Sequence, residues 1–150
     1  MAAQNLSTKL IESHLVQGES TPGSEVELSI DQALLQDVLG TLVMLELEGM
    51  GLERAVPQPT VQYIDHALVQ QDPLSAEAHR FLKSACDRFG IWYSGPGNGI
   101  SHPVHMERFG VPGQSLVGSD SHTTAAGRLG MLVLSPAYMA NCSVISGDPL

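Results

Sequence analysis

Apolar residues recur along the chain at helical and at alternating spacings. Leu6, Leu10, Ile11 and Leu15 share one side of a 3.6-residue period, which predicts a short amphipathic helix over 5–16. Asn5 and Ser7 are its candidate N-caps, because either side chain can accept from an unpaired backbone N–H. A turn-rich connector, Gly-Glu-Ser-Thr-Pro-Gly, fills 18–23. Val26, Leu28 and Ile30 alternate with polar residues and predict a half-buried strand over 25–30. Asp31 then offers a cap for a long helix reaching Glu48, with Leu34, Leu35, Val38, Leu39, Leu42, Val43 and Leu45 on a wide apolar face.

The second half repeats the alternation. A strand over 60–64 stops at Asp65-His66, and a helix over 75–89 turns Phe81, Leu82, Ala85, Cys86 and Phe89 inward. Another strand covers 91–93, and the loop Gly95-Pro96-Gly97-Asn98-Gly99 has unusual backbone freedom. A strand over 115–117 stops at Gly118-Ser119-Asp120-Ser121-His122, and a return to helix is expected over 123–134. Strands alternating with helices predict an α/β protein, a layered α/β/α domain with a largely parallel sheet spanning 1–150.

Charge narrows the partners. Seven Lys and Arg against 16 Asp and Glu leave a formal charge of -9. Nucleic acid and an anionic membrane surface both need a basic face, so neither is an expected partner. A local positive site for a small anion is compatible with this balance, because charges are read at short range. No apolar run approaches the ~20 residues of a membrane helix. Residues 1–10 lack the apolar core of a secretory signal, and two cysteines cannot build a disulfide framework. The expectation is a cytoplasmic protein.

Candidate chemistry collects after the strands. Asp65-His66 follows one strand, Asp120-Ser121-His122 another, and His102 the glycine-rich loop. Ligand sites in open α/β sheets lie beyond the carboxyl ends of the strands, which favours one shared site. A carboxylate beside a histidine stabilises imidazolium and fixes which nitrogen carries the proton. The competing reading is that each Asp only caps a chain end. Asp, Ser and His in a row do not make a spatial hydrolase triad, and the Gly-x-Ser-x-Gly elbow is missing. His102 and His105 could share a helix face and hold a metal, but Pro103 weakens that helix, and a non-metal role is favoured for both. Cys86 and Cys142 read as core residues, and His14 and His79 as solvated helix positions.

Five ordered segments then carry a resemblance. They are Gln36-Asp37, Tyr63-Ile64-Asp65-His66, Pro96-Gly97-Asn98-Gly99-Ile100 with His102, Arg108-Phe109-Gly110-Val111-Pro112-Gly113, and Gly118-Ser119-Asp120-Ser121-His122-Thr123. From about Asn5 to Met131 the chain resembles an N-terminal segment of the aconitase, or aconitate hydratase, family. That resemblance implies a lyase of the tricarboxylic acid cycle type: a hydro-lyase acting on citrate-like hydroxy-tricarboxylic acids with a 4Fe–4S cluster. It implies catalytic roles for Asp65, His66, His102, Asp120 and His122, and substrate contacts for Gln36 and Ser121. The family's cluster cysteines, serine base and most substrate arginines match nothing here, so the remaining aconitase domains on another chain are an implied partner.

The chain departs from the family after His122-Thr123. Thr124 stands where the family has proline, and Ala126 and Arg128 where it has glycines. From about 132 the tail has diverged, and Ser135-Pro136-Ala137-Tyr138 replaces a glycine-rich continuation. Three readings follow: a fragment or subunit supplying half of a hydratase site, a non-catalytic remnant without a cluster, or a carboxylate-binding module built on His66, His102 and His122.

Overall fold

The computed structural model describes residues 4–136 and 138–150, so Ala137 of the diverged tail lies outside the described residues. Helix α1 (Leu6–His14) is capped by Asn5, whose side chain accepts from the Thr8 N–H at 2.8 Å. Strands β1 (Leu15–Gly18) and β2 (Val26–Leu28) form an antiparallel hairpin. Five more strands build a sheet that is parallel throughout: β3 (Gln32–Gln36), β4 (Thr60–Tyr63), β5 (Trp92–Ser94), β6 (Ser115–Gly118) and β7 (Leu132–Leu134), in the order β5-β4-β3-β6-β7.

Helices cover both faces. The first face carries α2 (Asp37–Gly49), α3 (Pro73–Phe89) and α5 (Tyr138–Ser146), and its core joins Ala33 and Leu35 of β3 to Val43, Leu47, Leu82 and Ile145. The second carries α4 (Ser101–Phe109) and a 3-10 helix (Thr123–Leu129), with Leu34, Val61, Tyr63 and Leu116 beneath them. Alternate residues of β3 therefore feed opposite cores, as the pleat requires. The protein is a layered α/β/α structure, as the sequence pattern predicts.

Three of the elements that differ from that pattern bear on the site. Residues 32–36 form a strand, and α2 starts only at Asp37, capped by Gln36 Oε1, which accepts from the Val38 N–H at 2.5 Å. A central parallel strand is buried on both faces, so Ala33-Leu34-Leu35 loses the alternation that marks an exposed strand and merges with the helix that follows. Residues 123–134 divide into the 3-10 helix and β7, broken at Gly130, which sits at φ 77°. Helix α4 forms despite Pro103, which occupies its third position. A first-turn N–H has no intrahelical acceptor, so proline loses nothing there.

The histidines expected in solvent are buried. His79 is 6% exposed, and its Nδ1 lies 2.9 Å from Gln70 Nε2. His14 is also 6% exposed, with Nε2 3.0 Å from Asp31 Oδ2 and Nδ1 2.8 Å from the Leu10 carbonyl. Asp31, expected to cap a helix, instead accepts from the Ser115 N–H at 2.8 Å and its hydroxyl at 3.1 Å. This cluster ties α1 to the starts of β3 and β6.

Burial alone would raise the Asp31 carboxyl, but the Ser115 N–H and the His14 bond outweigh it and hold the group below its ordinary value. Its stabilising contribution is therefore present above the unfolded-state value of about 3.9 and is lost as pH falls through the lower folded-state value. Asp31→Ala should lower the unfolding free energy at neutral pH by about 1–2 kcal/mol. Urea titrations at neutral pH and near pH 3 check this: the deficit should shrink in acid.

Candidate active site

The direction of winding locates the site. The chain steps from β3 to β4 to β5 on one side, then returns to place β6 and β7 on the other. A crevice opens at the carboxyl ends of β3 and β6, where the winding reverses. Gln36 ends β3 and Asp37 opens α2. Asp65 and His66 follow β4, His102 is the second residue of α4 after the glycine-rich loop, and Asp120, Ser121 and His122 follow β6.

His66 lies among three carboxylates. Its Nδ1 is 2.8 Å from Asp65 Oδ1 and 3.7 Å from Asp37 Oδ1, and its Nε2 is 3.5 Å from Asp120 Oδ2. The other Asp120 oxygen lies 3.4 Å from His102 Nδ1 and 3.6 Å from His122 Nδ1. The His102 and His122 rings stack at 5.1 Å with 18° between their planes. The carboxylates form the floor: the side chains of Asp37, Asp65 and Asp120 are 2%, 3% and 7% exposed. The imidazoles rise above it, with His66 43% and His122 72% exposed.

The structure thus brings Asp65, His66, His102, Asp120 and His122 together. Ser121 is exposed at the rim, its Oγ 3.4 Å from His122 Nδ1. Gln36 is at the same sheet edge, but its carboxamide oxygen is engaged in capping α2. His105 is fully buried and separate, with Nδ1 3.0 Å from the Tyr63 hydroxyl and Nε2 3.1 Å from Gln32 Oε1. Burial pushes its pKa down to about 4, which suits a neutral core residue.

Asp37 is the site residue that sequence reasoning missed. Its Oδ1 accepts from the N–H groups of Asp65 at 3.3 Å and His66 at 3.0 Å, and its Oδ2 from that of Ala67 at 2.7 Å. The carboxylate therefore fixes the turn that carries the Asp65-His66 pair. The usable signal was an acid directly after the strand, hidden by reading 31–48 as one helix. Asp65 plays a similar part for α4: its Oδ2 accepts from the Ser101 N–H at 2.7 Å, anchoring the helix that presents His102.

These contacts set proton affinities. Burial would raise Asp65, but the Ser101 N–H and His66 outweigh it and hold the carboxyl low. Burial would lower His66, but the Asp65 hydrogen bond and the charges of Asp65, Asp37 and Asp120 outweigh it and raise the imidazole. Two sets, Asp37-Asp65-His66 and His102-Asp120-His122, bring metal-ligand atom types within 4.8 Å of one another. In the first, both Asp37 oxygens are already taken by backbone N–H groups. In the second, Asp120 Oδ1 accepts from the His122 N–H at 2.8 Å. In both sets the imidazole nitrogens face carboxylate oxygens.

A family model described as the aconitase family (aconitate hydratase) matches residues 8–135. The chain belongs to the aconitase family. The mitochondrial homocitrate dehydratase of Saccharomyces cerevisiae is 29% identical over 99% of this chain and 21% of its own length. The 3-isopropylmalate dehydratase large subunit 2 of Rubrobacter xylanophilus is 36% identical over 83% of this chain and 30% of its own length. The mitochondrial aconitate hydratase of Candida albicans is 30% identical over 84% of this chain and 17% of its own length. The chain thus spans less than a third of the length of these curated relatives.

The cysteines do not fit the iron–sulfur cluster for which the aconitase family is known. Cys86 of α3 and Cys142 of α5 are buried in one core with Val43, Leu82 and Phe89. Burial pushes the Cys86 thiol up to about 12, whereas cluster ligation requires thiolate.

The raised imidazole yields a direct test. Asp65→Asn should move the His66 titration to lower pH by removing its hydrogen-bonded charge. Asp37→Asn should do the same less strongly, since its oxygen is at 3.7 Å, and should also shift the Asp65, His66 and Ala67 amide resonances. Imidazole titration by NMR, with His105 as the internal control for folding, reads both effects.

Proposed function

We propose that the chain supplies the histidine, aspartate and serine groups of an aconitase-type hydro-lyase site acting on citrate-like hydroxy-tricarboxylic acids. The observation that carries the reading is His66 held at Nδ1 by Asp65, 2.8 Å away, while its Nε2 edge faces the crevice beside Asp120. Asp65 secures the Nδ1 proton, so Nε2 is the position from which a proton can be given and taken back.

In the dehydration direction a carbon–oxygen bond breaks. The departing oxygen takes the Nε2 proton of the His66 imidazolium and leaves as water, and His66 becomes neutral. The proton on the adjacent carbon goes to a base outside the residues assigned here. Hydration reverses both transfers. His102, His122 and Ser121 offer donors for the substrate carboxylates above the Asp120 floor. The cluster chemistry of the family, where it operates with this chain, is held by residues other than Cys86 and Cys142. The remaining aconitase domains are the implied partner, whether on the same or another polypeptide.

Two measurements test this. Anaerobic treatment of the chain with iron and sulfide should give no stoichiometric cluster; a full complement of iron and sulfide with a charge-transfer band would sink that part. Combined with a polypeptide carrying the rest of an aconitase-family protein, the chain should support hydration of an unsaturated tricarboxylate. His66→Ala should then lower turnover by roughly 10²–10⁴-fold. Full turnover in that variant would remove His66 from the chemistry.

A further inference from the structure

Beside the stacked histidines a cleft of about 550 Å³ opens, and its polar lining is His102, Ser121, His122, Thr124 and Arg128. We propose that Arg128, with His102 and His122, forms a carboxylate subsite, and that the ligand is a polycarboxylate reaching from His66 to Arg128. The proposal deepens the hydro-lyase reading and rests on it for the part His66 plays.

The local fold aligns His122 with Arg128. His122 stands at the N-cap position of the 3-10 helix that contains Arg128. With three residues per turn, positions 122, 125 and 128 fall on one face. All three line the cleft, and the residue between His122 and Arg128 is the small Ala125. The aligned face therefore offers a shallow floor with an imidazole at one end and a guanidinium at the other.

The three side chains are available. Arg128 is exposed and takes part in no ion pair among the described residues, whereas Arg88 pairs with Glu48 and Lys83 with Asp87. His102 and His122 both turn Nδ1 toward Asp120, and neither Nε2 has a hydrogen-bond partner among the described residues. A guanidinium fork matches a carboxylate in shape as well as charge. The subsite is also close to His66: Asp120 meets His66 with one oxygen and the stacked pair with the other.

The test is citrate titration of the full chain, followed by the imidazole signals and the Arg128 side-chain N–H, for wild type, Arg128→Ala, Arg128→Lys and the control Arg80→Ala. The expected result is movement of His66, His102, His122 and Arg128. Arg128→Ala should weaken binding about tenfold, Arg128→Lys should fall between, and Arg80→Ala should match wild type. Wild-type affinity in Arg128→Ala, with His66 still responding, would overturn the subsite and leave the hydro-lyase reading standing. Response at His102, His122 and Arg128 without His66 would support the subsite and remove that reading. Silence at every signal would overturn both.

Discussion

Strand β3 bears parallel ladders on both edges, to β4 and to β6, and the direction of winding reverses across it. Pairing to β6 continues past the regular ladder. The Ser119 N–H donates to the Leu34 carbonyl at 2.9 Å, and the Gln36 N–H donates to Ser119 Oγ at 3.0 Å. These bonds hold the segment before Asp120 against the segment before Asp37. On the other edge, Gln36 sits opposite Tyr63, two residues before Asp65. The carboxylates around His66 thus come from three chain segments whose spacing is set by backbone hydrogen bonds. Loop side chains alone would not fix such distances. The turn after β6 depends on a close approach: a methyl at Gly118 would collide with Thr123, whose hydroxyl and N–H both donate to the Asp120 carbonyl.

Much of this was legible in the residues. The Asp-His and Asp-Ser-His groups stand where strand patterns stop, and parallel strands deliver such positions to one edge. The ambiguity lay in local periodicity. Ala33-Leu34-Leu35 is buried on both faces and carries no strand alternation, so β3 was absorbed into α2 and Asp37 was lost with it. His14 reads as solvated for a related reason, and the sequence shows no partner for His105. Each is satisfied by residues distant in sequence, His14 by Asp31 and His105 by Tyr63 and Gln32. No spacing rule along the chain exposes those partners. Pro103 works in the opposite sense: a residue that breaks helix interiors is tolerated in the first turn of α4.

The acidic composition fits an anion site once the carboxylates are followed to their partners. Asp37 spends its charge on three backbone N–H groups, and Asp65 on Ser101 and His66. Asp120 faces three imidazoles. Little of this negative charge reaches solvent, because the three side chains are at most 7% exposed. What the crevice presents is the imidazole layer, with Arg128 at the far side of the neighbouring cleft. The carboxylates beside His66 favour its protonated form, and an incoming anion then meets positive charge there in a chain of formal charge -9.

The two nitrogens of His66 are unequal by construction. Nδ1 is within strong hydrogen-bond distance of Asp65, whereas Nε2 lies 3.5 Å from Asp120, too far for a tight bond. The first contact orients the ring and the second adds charge without sequestering the proton. Reversing the distances would bury the transferable proton against Asp120 and leave the ring free to turn. The Asp37 hold on the backbone of residues 65–67 keeps the order as it is, because rotation of that turn would carry Asp65 and His66 away together. A reversible proton donor needs both properties: a fixed ring and a proton held loosely enough to leave and return.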